Sequence, residues 1–440
     1  MLATFSRRRA KIVGLFLLLV WLGVIVVRCY QRQPDELFAS QGQPGDLFGY
    51  SLALVDNRLA ISAYGDDAGG EKAGAVYLFH KEGERWREAG KLVAHNAQPY
   101  AFFGSSIALS AETLAATVCE QQSFSRGGAI RLYSLRNGIW QPTQTIPSTG
   151  CSRSANLLAI HDNLLAVGLA NARTVRLFER EGDMWQPLAV LKPTAVFYYS
   201  ITDPFAHLRT VALSANRVVM GLEDGTGVFV FAKAADGTWR EEQKLEAMGS
   251  SSQFGAAVAI WQNHILVGDP QVERCVAGDC VVSGAAFLFR FDGERWQEVA
   301  KLEAERPFAN SWFGRSVVLG SEQILVGAPL EVAGAFGAVY HFANCNGRWQ
   351  QQARLTAGSN PRTDTALSRG WEATQTLVQQ RDPRPSKVWE AARGGFLHPV
   401  LLPFGPAMVV EETAVFIGTN RFVGNGSPPV YRFGLDGCRN

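Results

Sequence analysis

The chain of 440 residues has no dominant charge. Its 42 Lys and Arg are matched by 40 Asp and Glu, for a net charge of +2. That balance removes the electrostatic footprint of a nucleic-acid binder. Charged residues reach only 19% against 47% hydrophobic ones, which excludes intrinsic disorder and a coiled coil. Histidine is scarce at 7, and no His-x-x-x-His or His-Glu-x-x-His pattern occurs, so a helical zinc-hydrolase motif is absent. No Cys-x-x-Cys pair with partner histidines is present, which argues against a zinc site. There is no Gly-x-Ser-x-Gly elbow and no glycine-rich phosphate loop after a strand. The sequence therefore shows no catalytic residue and implies no cofactor. A site assembled from separate segments stays open.

Glycine (44), Phe (26) and Trp (11) are plentiful. Gly with aromatics points to β structure. The N-terminus differs. Arg7, Arg8, Arg9 and Lys11 precede an apolar run from Ile12 to Val27, roughly 24 Å if helical. A cleaved leader wants small residues before the cut, and Val27-Arg28-Cys29 does not supply them. We read residues 1–30 as a basic cytoplasmic tail and an uncleaved anchor helix. The cationic flank then exports everything after Tyr30. The expected location is a bacterial inner membrane, with residues 31–440 in the periplasm.

The exported part repeats. Trp86, Trp140, Trp185, Trp239, Trp296 and Trp349 recur about once every fifty residues, each shortly after a Gly. Each follows an aromatic-rich strand such as AVYLF (75–79) or AFLF (286–289), and four lead into pairs such as Lys91-Leu92 or Lys301-Leu302. A second hairpin lies upstream of each, beginning at Phe48-Gly49, Phe103-Gly104, Phe254-Gly255 and Phe313-Gly314, with degenerate copies at 156–168 and 209–221. Four short antiparallel strands per unit predict a β-propeller blade. Six units carry the Trp. A seventh begins at Phe404-Gly405, and the chain ends before its fourth strand. Asp35-Glu36-Leu37-Phe38-Ala39 stands where that strand is wanted. The expectation is an all-β, seven-bladed propeller whose ring is closed by an N-terminal strand, which removes exposed edges.

The Phe-Gly steps, with Val326-Gly327-Ala328-Pro329 and Gly337-Ala338-Val339-Tyr340, resemble the FG-GAP repeat of integrin α-subunit propellers and their bacterial relatives. The resemblance covers about residues 35–440. Such blades often hold calcium in a loop of alternating acids. The nearest counterpart is Gly65 to Glu71, with Asp66, Asp67 and Glu71 as weak calcium candidates. Adjacent carboxylates supply too few oxygens for that ion, so the loop is read as a solvated turn without metal. Calcium-dependent adhesion follows only as a third reading.

The repeated Trp set reads as packing, because a fixed place in repeated units is a structural demand. Trp312, just before Phe313, departs from it and is a candidate ligand contact. Trp371 and Trp389 are further candidates, in a long insertion at 358–403. Six of seven Cys are exported, which reads as disulfides. In a propeller, links between blades and loops between strands two and three share one face. That pairs Cys119 with Cys151, Cys275 with Cys280, and, on the other face, Cys345 with Cys438. The expected function is a non-enzymatic platform binding another protein or an envelope component. The alternative is a propeller enzyme or carbohydrate-binding protein using the channel mouth.

Overall fold

Tight turns with left-handed residues close the hairpins. Asn137-Gly138 and Asn346-Gly347 have φ of 51° and 77°, and of 56° and 80°. Both dipeptides suit the type I′ turn, whose twist matches that of paired strands. Asp56, Asp162 and Gln262 take φ near 50° at the other hairpin tips. The computed structural model describes residues 35–83, 85–119, 128–148, 157–169, 173–194, 208–222, 227–276, 279–331, 337–356, 408–411, 414–417 and 430–434. The chain divides into two compact units, Met1–Asp35 and Glu36–Asn440. The anchor expected over 12–27, the insertion at 358–403, Trp371 and Trp389 lie outside the described residues. Among the described residues no helix is long and apolar enough to cross a membrane.

The fold is an all-β propeller of four-stranded antiparallel blades. Blade one is Phe48–Val55, Arg58–Ala63, Ala75–Glu82 and Arg85–Val93. Blade two is Ile107–Leu109, Thr113–Cys119, Gly128–Arg136 and Ile139–Ser148. Blade three is Leu158–His161, Leu164–Leu169, Thr174–Glu181 and Met184–Leu191. Blade four is Leu208–Leu213, Arg217–Leu222, Val228–Lys233 and Trp239–Leu245. Blade five is Ala257–Trp261, His264–Asp269, Ala285–Phe291 and Trp296–Leu302. Its second and third strands are joined through an extra hairpin, Glu273–Val276 and Asp279–Val282. Blade six is Ser316–Leu319, Gln323–Ala328, Ala338–Cys345 and Arg348–Leu355.

The expected seven blades resolve into six such blades of successive strands and one sheet of different make. That sheet is composite, in the order Asp35–Leu37, Val430–Gly434, Ala414–Ile417, Met408–Glu411. Its strand Met408–Glu411 adjoins the inner strands of blades one and six.

The core is a series of layers between neighbouring blades, not one central mass. Val76, Phe103 and Leu114 fill the layer between blades one and two. Leu132, Leu165 and Trp185 fill the next, and Leu177, Val211 and Phe229 the one after. Phe254, Phe287 and Val230 lie between blades four and five, and Leu288, Phe313 and Tyr340 between five and six. The Phe of each intact Phe-Gly step is buried at its layer: Phe48, Phe103, Phe254 and Phe313 are 0–2% exposed.

A β-bulge recurs in the outer strand of each of the six blades of successive strands, three residues after the Trp. Ala89, Thr143, Leu188, Glu242, Val299 and Gln352 have no register partner. In a regular strand, residues six apart share a face; one extra residue reverses that. Trp296 thus packs between blades four and five, while Leu302 of the same strand packs between five and six. Trp185 and Leu191 are divided in the same way. One outer strand so stitches two layers, and the bulge also disrupts an edge that could pair with another chain.

The reading of the Trp set as packing needs refinement. Trp185 and Trp296 are buried at 2% and 3%, whereas Trp86, Trp140, Trp239 and Trp349 are half-buried. A side-chain amide of the preceding blade accounts for the difference. Gln144 Oε1 accepts from the Trp185 backbone N–H at 2.8 Å, and its Nε2 donates to the Trp185 carbonyl at 3.0 Å. Gln243 clamps Trp296 likewise, at 2.7 and 3.0 Å. At the second junction Glu242 also accepts from Trp296 Nε1 at 2.8 Å and pairs with Arg217 at 2.9 Å.

Candidate functional site

Two blades carry an acid, a tyrosine and a cation in one arrangement. In blade one, Tyr77 and Lys91 are cross-strand partners. Both reach Asp66, which enters from the loop between strands two and three. The Tyr77 hydroxyl donates to Asp66 Oδ2 at 3.0 Å, Lys91 Nζ lies 2.8 Å from that oxygen, and the Ala68 N–H donates to Oδ1 at 2.9 Å. In blade six, Tyr340 and Arg354 are partners, and both hold Glu331. Tyr340 donates to Oε2 and Arg354 Nε to Oε1, each at 2.6 Å. Burial, then the neighbouring carboxylate, pushes both tyrosines above the usual phenol range. Their hydroxyls stay protonated, as a donor to a buried carboxylate must. Blades four and five have Phe229 and Phe287 at the same register, opposite Lys244 and Lys301. A phenyl ring cannot donate, and those lysines pair with Glu246 and Glu303 at the surface, at 2.6 and 2.9 Å.

These contacts correct the reading of the Asp66 loop as a solvated turn. Asp66 is 2% exposed and fixed by its ion pair. Asp67 accepts the Lys72 N–H at 2.7 Å, and Glu71 accepts the Tyr100 hydroxyl. The three candidate carboxylates are engaged by three separate protein groups and do not converge. Asp269 of blade five, also fully buried, receives the Ser251 N–H and hydroxyl and so anchors the link that enters that blade. Among the described residues, no group of three or more His, Cys, Asp or Glu is placed to hold a metal ion.

A concavity adjoins the Glu331 cluster. A cavity of about 350 Å³ is lined by Glu305, Arg306, Phe308, Tyr340, Gln351 and Arg354. The link from blade five to blade six forms one wall, with Arg306 exposed and Phe308 half-buried. The Arg354 guanidinium forms part of the other, 5.8 Å from the Phe308 ring centre. Gln351 Oε1 accepts the Glu305 N–H at 3.1 Å and fixes the start of the link.

Trp312 belongs to the same link. The Asn310 N–H donates to the Val282 carbonyl at 2.6 Å, the Ser311 hydroxyl to the Ser283 carbonyl at 2.9 Å, and the Phe313 N–H to that same carbonyl at 3.1 Å. The Leu330 N–H donates to Ser311 O at 3.1 Å, which ties the turn to the segment bearing Glu331. Trp312 is half-buried, with φ of 57°. A bulky side chain in that left-handed region is uncommon and is sustained only by surrounding structure. Leu47 and Phe102 take the same conformation before their Phe-Gly steps, at 57° and 47°. The sequence singled out Trp312 on this link, but not Glu331, Arg354, Arg306 or Phe308.

Of the expected disulfides, Cys275–Cys280 is present across the extra hairpin of blade five. Cys119 and Cys345 are disulfide-bonded as well. Cys151 and Cys438, their expected partners, lie outside the described residues.

The family model of the FG-GAP repeat matches residues 32–79. No curated protein matches the chain significantly. Among solved structures, the chain is similar to a periplasmic gluconolactonase of Pseudomonas aeruginosa, with 16% identity, a TM-score of 0.46, and coverage of 70% of this chain and 85% of that one. Sheet order makes this chain a β-propeller, and its residues 32–79 match the FG-GAP repeat.

Proposed function

We propose that the chain is a membrane-tethered, extracytoplasmic propeller that binds another protein through the link between blades five and six, without catalysing a reaction on it. The apolar run at 12–27 is the tether in this reading. The composite sheet is the seventh blade, and it makes the ring a rigid support for its loops. One observation carries the proposal. Arg306 and Phe308 line a cavity of about 350 Å³, and Trp312, half-buried, follows on the same link. Arg, Trp and other aromatics are the residue types that dominate binding energy at protein interfaces. The link is bonded to both neighbouring blades, so little ordering entropy remains to oppose binding.

The test is capture from solubilised envelope by the full chain and by Trp312→Ala. Trp312→Ala is expected to lower capture of the specific partner by tenfold or more, with a circular-dichroism melt close to that of the unaltered chain. Undiminished capture by the variant would remove the link from the interface and with it this reading.

A further inference from the structure

The extra hairpin of blade five has no counterpart in the other described blades. Its two strands pair Glu273 with Val282, Arg274 with Val281, Cys275 with Cys280 and Val276 with Asp279. The cysteines are thus directly opposite each other, bonded, and both exposed. Two features separate this bond from a structural staple. It closes a loop with a sequence separation of only 5, so it removes little chain entropy from the unfolded state. The hairpin base is also held without it: the Ser283 and Gly284 N–H groups both donate to the Val272 carbonyl, at 3.1 and 3.0 Å, and Val272 is 2% exposed in the layer between blades four and five. Disulfide-bonded Cys119, by contrast, is 3% exposed, out of reach of an attacking thiolate.

The end of the hairpin is hydrogen-bonded to the turn that carries Trp312. Its last residue, Val282, supplies the carbonyl bound by the Asn310 N–H, and Ser283 the carbonyl shared by Ser311 and Phe313. On the other side, Arg274 donates to the Ala304 carbonyl and lies 3.6 Å from Glu303, at the beginning of the same link. Both ends of the link are therefore held by residues of the hairpin or of its base.

From this placement we propose that Cys275–Cys280 is a thiol–disulfide exchange site, whose reaction partner is a protein dithiol of the Cys-x-x-Cys class. A thiolate of the dithiol attacks Sγ of Cys275 or Cys280. The bond between the two cysteines breaks, a mixed disulfide forms, and the other cysteine leaves as a thiolate that takes up a proton. The second thiol of the partner then attacks the mixed disulfide. Two electrons and two protons pass in total: the partner is oxidised to its disulfide, and Cys275 and Cys280 become thiols. The hairpin then loses its covalent closure, while its base stays held by the bonds to the Val272 carbonyl.

The exchange can be read without any binding partner for the link. The full chain, folded, is incubated with a reduced Cys-x-x-Cys protein, quenched with an alkylating agent, and mapped by mass spectrometry. Cys275 and Cys280 are expected to be alkylated at least tenfold faster than Cys119 or Cys345. A form of the dithiol protein with its resolving Cys changed to Ser should be trapped on Cys275 or Cys280. Uniform reduction of all the cysteines, reduction only on unfolding, or no trapped species would overturn the proposal. The Cys275→Ser, Cys280→Ser double variant should keep the melting midpoint within a few degrees. A large fall would assign the bond to fold maintenance and also contradict the proposal.

Discussion

A soluble chain that begins at Ser40 is expected to melt well below one that begins at Gln31, and to associate on standing. The strand Asp35–Leu37 is the outer member of the composite sheet, beside Val430–Gly434. Leu37 is 9% exposed and packs with Phe48, Tyr77, Phe79 and Val430. Removing that side chain alone costs about 2 kcal/mol. The lost ladder adds to this and leaves a strand edge open, which invites pairing between copies. The effect should exceed that of any single surface substitution, because the sheet it disrupts adjoins blade one on one side and blade six on the other. Differential scanning calorimetry and size-exclusion chromatography of the two chains give the answer. Equal melting midpoints would show that the strand contributes nothing to the ring.

Replacing Gly314 by Val should be as damaging. Its φ is +94°, and a Cβ there would stand 2.3 Å from the Ala285 carbonyl oxygen and 2.9 Å from the Asp269 nitrogen. Both are backbone atoms of blade five, so the clash is relieved only by parting blades five and six. We expect a loss of about 4 kcal/mol or more, visible as a failure to accumulate in soluble form or as a large fall in the urea midpoint. Gly293 provides the control. It too has a positive φ, +111°, but nothing lies within 4 Å of its would-be Cβ. Gly293→Ala should cost only the backbone strain, about 1 kcal/mol. If Gly314→Val is as mild as Gly293→Ala, crowding between the blades is not what the Phe-Gly step provides.

The repeat was legible because the same physical demand recurs in each unit. A Trp opening the outer strand locates the six blades of successive strands, and in four of them a Phe wedge and a Gly at the crowded inner strand add to it. The bulges were less visible. Trp296 and Leu302 are six apart and both apolar, which in a regular strand puts them on one face; only the unpaired Val299 places them in different layers. The buried acids were hidden for another reason. Asp66 and Glu331 stand in loops of varied length, and an acid in a loop reads as solvated. A signal did exist at their partners. Tyr77 and Tyr340 replace the Phe found at 229 and 287, opposite a cation in all four blades. A hydroxyl repeatedly placed in an apolar layer asks for an acceptor, and the acid supplies it. Arg306 and Phe308 carried no such signal, since their grouping with Arg354 depends on how the link folds back on blade six.

The most direct test of the blade register is a peptide map of the full chain made without reduction. Cys119 and Cys345 are both disulfide-bonded. The proposed ring pairs Cys119 with Cys151, in the link from blade two to blade three. It pairs Cys345, at the end of the third strand of blade six, with Cys438, shortly after the composite-sheet strand Val430–Gly434 in sequence. Recovery of these two pairs with Cys275–Cys280 is the predicted result. A bond joining Cys119 to Cys438, or Cys151 to Cys345, would contradict the order of the blades and the proposed closure of the ring.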